Sequence, residues 1–386
     1  MINLAQVIED TQSLIRIDSQ NPGIQEAACG QWVGNRLADM GLDVKTESVD
    51  GARKNLLVTI PGESDAPRLV LLGHLDTVPI GEGWSVPPLG AEIKNDLIYG
   101  RGSCDMKGGV AVSLGLVEAL VKRKAGMRGD LVFVATVDEE APDMAGAQHL
   151  VHSGFFRPDD QVLALEPTGT RLRIAQMGLR WLSVKVTGKM AHAGRAHLGI
   201  DSAHVMARII DQLKQYIEAL PHEDEILGKA RFTCGLLQAG VATNVVPPNA
   251  TASFDVRIVP PMDISDVIPT VSSIAEGVLK DFPGASFSIE PLGAPRPPVR
   301  ASDDSPIVSK LRQAYLSETG SKLEHGGADG HEAYTDSSMV AALTKSKSCT
   351  VFGPGSTDKA HTADEFVPIK DLDLVSRVLW KTATDW

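Results

Sequence analysis

Leu69-Val70-Leu71-Leu72-Gly73-His74-Leu75-Asp76-Thr77-Val78-Pro79 is the stretch from which the rest of the chain is read. Its unbroken apolar run predicts a buried strand, and His74 and Asp76 stand just beyond the strand's end. Further on, Asp96-Leu97-Ile98-Tyr99 predicts another short strand. It ends in the turn Gly100-Arg101-Gly102-Ser103-Cys104-Asp105-Met106-Lys107-Gly108-Gly109, and a helix is expected over 110–121. Open α/β sheets bind ligands where strand ends feed turns and helices. A histidine and two aspartates delivered to such ends mark the start of a metal site.

Outward from this stretch, helices are expected over 3–16 and 27–40, and strands over 42–49 and 55–60. A strand over 130–137 runs into Asp138-Glu139-Glu140, and one over 161–165 ends in Glu166-Pro167-Thr168. Strands alternating with helices predict an α/β layered domain with a largely parallel sheet. Near residue 178 the pattern changes. Strands over 180–186, 231–238 and 250–258, with helices over 201–220 and 264–279, predict a smaller inserted α+β domain. The Pro-rich stretch 291–298 suits a return linker. A helix over 306–316, a strand over 349–352 and a helix over 369–382 then complete the first domain. The expected division is 1–177 and 291–386 for the first domain, and 178–290 for the insertion.

At 386 residues the chain is long enough for two domains with separate cores. A formal net charge of −12 argues against nucleic-acid or anionic-membrane partners, which recruit basic surfaces, while leaving room for an anionic small substrate. Cys29, Cys104, Cys234 and Cys349 are scattered and form no CxxC pair, so free thiols in a reducing compartment are expected. No apolar run reaches membrane-spanning length and the first residues lack a basic leader, so a cytoplasmic location is expected.

His74, Asp105, Glu140, Glu166 and His361 each follow an apparent strand or lie in a nearby loop. Singly, each reads as a hydrogen-bonding or helix-capping residue. Together, two imidazoles and three carboxylates at one sheet can hold two divalent ions with Asp105 bridging. That mixed N/O set suits Zn²⁺, with Co²⁺ or Mn²⁺ as alternatives, better than copper or an iron–sulfur cluster.

Five segments also carry a resemblance. Gly73-His74-Leu75-Asp76-Thr77-Val78-Pro79, the Gly100–Gly109 turn, Asp138-Glu139-Glu140, Glu166-Pro167-Thr168 and Ala360-His361-Thr362-Ala363-Asp364-Glu365 are similar, in order, to the motifs of the M20 metallopeptidase/amidohydrolase family. The resemblance covers essentially the whole chain. It implies a zinc-exopeptidase-like catalytic domain with a mixed, largely parallel sheet, plus an inserted α+β lid that also makes a homodimer. It further implies two Zn²⁺ per subunit bridged by Asp105, one completed by Glu140 and His361 and the other by His74 and Glu166. Asp76 would orient the His74 ring from behind, and Glu139 would be the general base. Gly188-Lys189-Met190-Ala191-His192-Ala193-Gly194 resembles the lid motif whose histidine stabilises the oxyanion in the partner subunit's site. Asn244 and Arg257 match positions that hold the substrate carboxylate or carbonyl, and Gly355 a loop that offers backbone amides to the substrate.

Cys104 stands where relatives have a small residue, and Asp201 where many have asparagine, though either caps the lid helix. His325 and His331 lie outside the ligand pattern and are read as pocket-rim or surface groups. The expected activity is hydrolysis of an N-acyl amino acid of the acetylornithine or succinyl-diaminopimelate kind. A dipeptidase or carboxypeptidase using the same machinery is the alternative. A catalytically silent metal-binding member is disfavoured by the intact Glu139.

Overall fold

The computed structural model describes residues 1–22, 26–123, 127–325 and 333–386. The chain divides into two compact units, Met1–Ala175 with Arg300–Trp386, and Gln176–Val299.

The first unit is built on a six-stranded sheet in the order Lys45–Asp50, Arg53–Ile60, Gly129–Thr136, Ala66–His74, Gln161–Ala164, Cys349–Val351. Neighbours from Gly129–Thr136 to Cys349–Val351 pair parallel, whereas Arg53–Ile60 is antiparallel to both of its neighbours. Leu69 to Leu72 occupy the middle of this mixed, largely parallel sheet and are fully buried. A strand with parallel neighbours is covered on both faces, which is why an apolar run rather than an alternation encodes it. Helices Leu4–Ile15 and Ile369–Thr384 pack on helix Gly108–Arg123. A Cβ on Gly109 would lie 2.1 Å from the Leu165 carbonyl oxygen. Glycine there lets the helix start press against the strand end that carries Glu166.

The second unit has a four-stranded sheet in the order Arg231–Ala239, Asn249–Ile258, Gly178–Thr187, Ser286–Arg296, antiparallel throughout. Helices Ser202–Glu218 and Val267–Leu279 cover one face, where Val205, Ile209 and Leu213 meet Leu182, Phe254 and Val271. Asp201 caps the first of these helices, Oδ1 accepting the N–H groups of Ala203 (3.0 Å) and His204 (3.1 Å). The Pro-rich stretch expected to be a return linker is in part a strand. Ser286–Arg296 pairs with Gly178–Thr187 at the sheet's edge, with a register shift between Leu292 and Arg296. An edge strand tolerates proline because the missing N–H need not point at a neighbour.

Phe254 is 2 % exposed and stacks edge-on against Phe232 at 5.2 Å between ring centres. Phe254→Ala is expected to lower stability by about 3–5 kcal/mol through lost burial and the cavity left behind. Urea unfolding of the full chain measures this, and a loss under about 1 kcal/mol would remove Phe254 from the core. Among the described residues, no helix is long and apolar enough to cross a membrane.

Candidate metal centre

The ends of the parallel strands deliver the polar residues. His74 closes the central strand, Glu139 and Glu140 follow Gly129–Thr136, and Glu166 follows Gln161–Ala164. Asp105 comes from the turn before helix Gly108–Arg123, and His361 from the loop after Cys349–Val351.

These side chains converge. His74 Nε2 lies 3.1 Å from Asp105 Oδ1 and 3.7 Å from Glu166 Oε1. His361 Nε2 lies 3.3 Å from the other Asp105 oxygen and 3.0 Å from Glu140 Oε1. Asp105 thus turns one oxygen to each imidazole. In each of the triads His74–Asp105–Glu166, Asp105–Glu140–His361 and His74–Glu139–Glu140, one donor atom per residue falls within 4.8 Å of the others.

The electrostatics follow from packing four carboxylates around two imidazoles. Burial, reinforced by neighbouring negative charge, pushes Glu139 well above the usual carboxylate range, raises Glu140, and takes Glu166 to about 8. Burial also works against ionisation of Asp105, yet hydrogen bonds from His361 and His74 outweigh it and hold this carboxyl well below its ordinary value. Burial disfavours charge on His74, but the carboxylates of Glu166 and Asp105 push it well above the usual imidazole range. His361 is pushed up to about 10, chiefly by hydrogen bonds to Asp105 and Glu140. A divalent cation satisfies such a donor set: it neutralises the clustered carboxylates and takes the imidazole nitrogens in place of protons. The mixture of N and O donors fits Zn²⁺, Co²⁺ or Mn²⁺.

Behind these groups, Asp76 meets the His74 ring through its main-chain oxygen. Its carboxylate stands 3.7 Å from His74 Nδ1, beyond hydrogen-bond distance, while its main-chain oxygen lies 2.9 Å from that nitrogen. The carboxylate instead accepts the N–H groups of Glu139 (3.2 Å) and Glu140 (3.1 Å) and the Asn21 amide (2.7 Å). Sequence reasoning missed four residues that complete this support, Asn21, Asp138, Arg53 and Glu26. Asn21 also donates to Asp138 (3.1 Å), and Arg53 bridges Asp138 (2.6 Å) and the buried Glu26 (2.6 Å). Asp138 itself takes the left-handed conformation, φ +67°, which is uncommon outside glycine and which aspartate and asparagine adopt more readily than other residues. The one sequence signal was Asp138's place immediately before Glu139.

The other expected site residues have surroundings of their own. His192 and Asn244 share an exposed surface of the second unit, where the Asn244 carbonyl accepts the Ala193 N–H (3.0 Å) and His192 Nδ1 accepts the Gly194 N–H (3.0 Å). Arg257 forks onto Asp255 of its own strand at 2.7 and 2.9 Å. The Gly355 N–H, expected to face substrate, donates to Asp371 (3.2 Å), and a Cβ there would lie 2.5 Å from that of Cys104. His325 stands apart from the cluster, 2.9 Å from Arg312. His331 falls outside the described residues.

The sequence model of Peptidase family M20/M25/M40 matches residues 70–385. The chain is 28% identical over 373 residues to N-acetyl-L-citrulline deacetylase of Xanthomonas campestris, covering 96% of this chain and 95% of that one. It is 26% identical over 389 residues to a Staphylococcus epidermidis protein named probable succinyl-diaminopimelate desuccinylase, with 94% and 92% covered. The crystal structure of a tripeptidase from Staphylococcus aureus shares the fold, with a TM-score of 0.81 at 24% identity over 100% of this chain and 99% of the other.

Proposed function

Since the chain belongs to Peptidase family M20/M25/M40, a family of metal-dependent hydrolases, we propose that it cleaves the amide bond of an N-acyl amino acid with two divalent ions, Zn²⁺ in the first instance. The observation that carries this reading is the convergence of His74, Asp105, Glu140, Glu166 and His361 around the two oxygens of one aspartate. His74, Glu166 and Asp105 would hold one ion, and Glu140, His361 and Asp105 the other. The chemistry such ions supply is Lewis acidity toward a carbonyl and a water acidic enough to ionise near neutral pH.

The rest falls to the protein. Glu139, buried beside both triads, takes the proton of the attacking water and returns it to the leaving amine, so that an amide and water become a carboxylic acid and an amine. Asp76 holds the Glu139–Glu140 turn through its two amide hydrogen bonds. The assigned partner of the developing oxyanion is His192, acting from a second copy in a homodimer. Asn244 and Arg257 are assigned to the substrate's carbonyl and α-carboxylate. Arg257 approaches this task already forked onto Asp255. The relatives named as a deacetylase and a desuccinylase support an acyl-amino-acid substrate over a peptide.

The test is hydrolysis of N-acetyl, N-succinyl and N-carbamoyl amino acids beside dipeptides, by chelator-stripped protein with and without Zn²⁺. Zinc-dependent amine release from one acyl class is expected. Cleavage of dipeptides alone would move the protein to the peptidase alternative, and metal-independent turnover would overturn the mechanism.

A further inference from the structure

Asp105 and His361 come from distant parts of the sequence, yet one side chain joins their segments. Glu365 follows His361 by four residues and is 1 % exposed. Its Oε1 accepts the N–H groups of Cys104 (3.0 Å) and of Asp105 itself (3.2 Å). Its Oε2 accepts the Gly102 N–H (3.1 Å) and Arg101 Nη1 (2.6 Å). Its main-chain oxygen takes the Gly100 N–H at 2.9 Å. Residues 100–105 belong to no sheet, and Asp105 has extended rather than helical dihedrals (φ −121°, ψ 91°). Much of what fixes the path of this turn is therefore a single carboxylate.

That carboxylate is buried close to the charge of Asp105, where like charges repel and neither is well solvated. Three backbone N–H groups and a guanidinium offset the cost, and hydrogen bonds to an ionised acceptor are the strong kind. Arg101 is in turn held, its Nη2 donating to the Ile80 carbonyl (3.1 Å) and its guanidinium lying 5.2 Å from the Trp84 ring centre. A neutral residue in place of Glu365 would leave several of these donors without an acceptor.

We propose that Glu365 is a positioning residue of the metal centre: its carboxylate clamps the amides of the Asp105 turn and so sets the Asp105 oxygens relative to His361. The proposal rests on the reading of Asp105 and His361 as metal ligands. It gives a role to the last residue of the His361–Glu365 segment, which the ligand set leaves without one.

The experiment titrates Zn²⁺ into the metal-free protein by calorimetry and records the visible spectrum of the Co²⁺-loaded form, for wild type, Glu365→Gln and Arg101→Gln. Glutamine keeps the shape but offers a single acceptor oxygen and turns an NH₂ toward N–H donors. Glu365→Gln is expected to bind Zn²⁺ about 10–100-fold more weakly, the usual scale for groups that orient ligands. Its Co²⁺ bands should shift, and its kcat should fall with KM little changed. Arg101→Gln, which leaves the amide clamp in place, should lose less affinity. Wild-type affinity and spectrum in Glu365→Gln would overturn the proposal, as would an equal loss in Arg101→Gln, since the ion pair alone would then explain the effect. Should the glutamine variant not fold, Glu365→Asp, which keeps the charge but shortens the reach, is read in the same titration against the same outcomes. If wild type itself binds no Zn²⁺, the metal-centre reading fails as well, and that result is distinct from the others.

Discussion

Glu139→Gln should retain the wild-type metal content while turnover falls at least about 10²-fold, the scale of a lost general base. The substitution is nearly isosteric, and the main-chain N–H of residue 139 keeps its bond to Asp76, so the turn that also carries Glu140 stays in place. What changes is the ability to accept a proton. In the metal-free protein burial, reinforced by acidic neighbours, pushes its pKa well above the ordinary carboxylate value, whereas a glutamine amide at the same place accepts no proton at all. Two measurements, metal content by mass spectrometry and kcat on the substrate found in the panel, separate its roles. A large loss of metal would make Glu139 a ligand, an arrangement its place in the His74–Glu139–Glu140 triad also allows. Activity within a few-fold of wild type would remove it from the mechanism.

The parts of this fold legible in the sequence are those where burial wrote a period into it. Leu69 to Leu72 announce a central strand because both faces of that strand are covered. Strand Asn249–Ile258 alternates because one face meets the helices of its unit. Helix Asp336–Thr344 went unread because it is buried on nearly every side, Ser337 and Ser338 included, and so carries no apolar stripe. Strand Ser286–Arg296 was hidden by its prolines, which an edge position tolerates. The candidate site divides in the same way. The donors His74, Asp105, Glu140, Glu166 and His361 could be picked out because each sits at a strand end or in a loop beside one. Their supports could not, since Asn21, Arg53 and Glu365 act through contacts between residues remote in sequence, which no local pattern records. Arg257 combines the two: a motif position names it for substrate, and its fork on Asp255, two residues away on the same strand, is a contact the motif does not record.

Asp105→Asn is expected to weaken the binding of both ions, whereas Glu140→Gln should weaken that of only one. The difference follows from geometry. The two oxygens of Asp105 face different imidazoles, at 3.1 Å from His74 and 3.3 Å from His361, while Glu140 pairs with His361 at 3.0 Å. Asparagine keeps the shape, but it turns an NH₂ toward one of the two sites and withdraws the negative charge from both. Binding should weaken by at least about 10²-fold, beyond the roughly 10–100-fold that outer supports command. Uptake also has a proton balance. Asp105 and Glu140 hold His361 up at about 10, so at neutral pH its imidazole must shed a proton before it can coordinate, and wild-type affinity should fall as the pH is lowered. In Asp105→Asn that hydrogen bond is weakened, so fewer protons should be released per ion bound. Calorimetry in buffers of different ionisation enthalpy counts those protons, and metal analysis counts the ions. Two ions retained with wild-type affinity by Asp105→Asn would show that this aspartate does not bridge them, and would leave the His74 and His361 triads as independent sites.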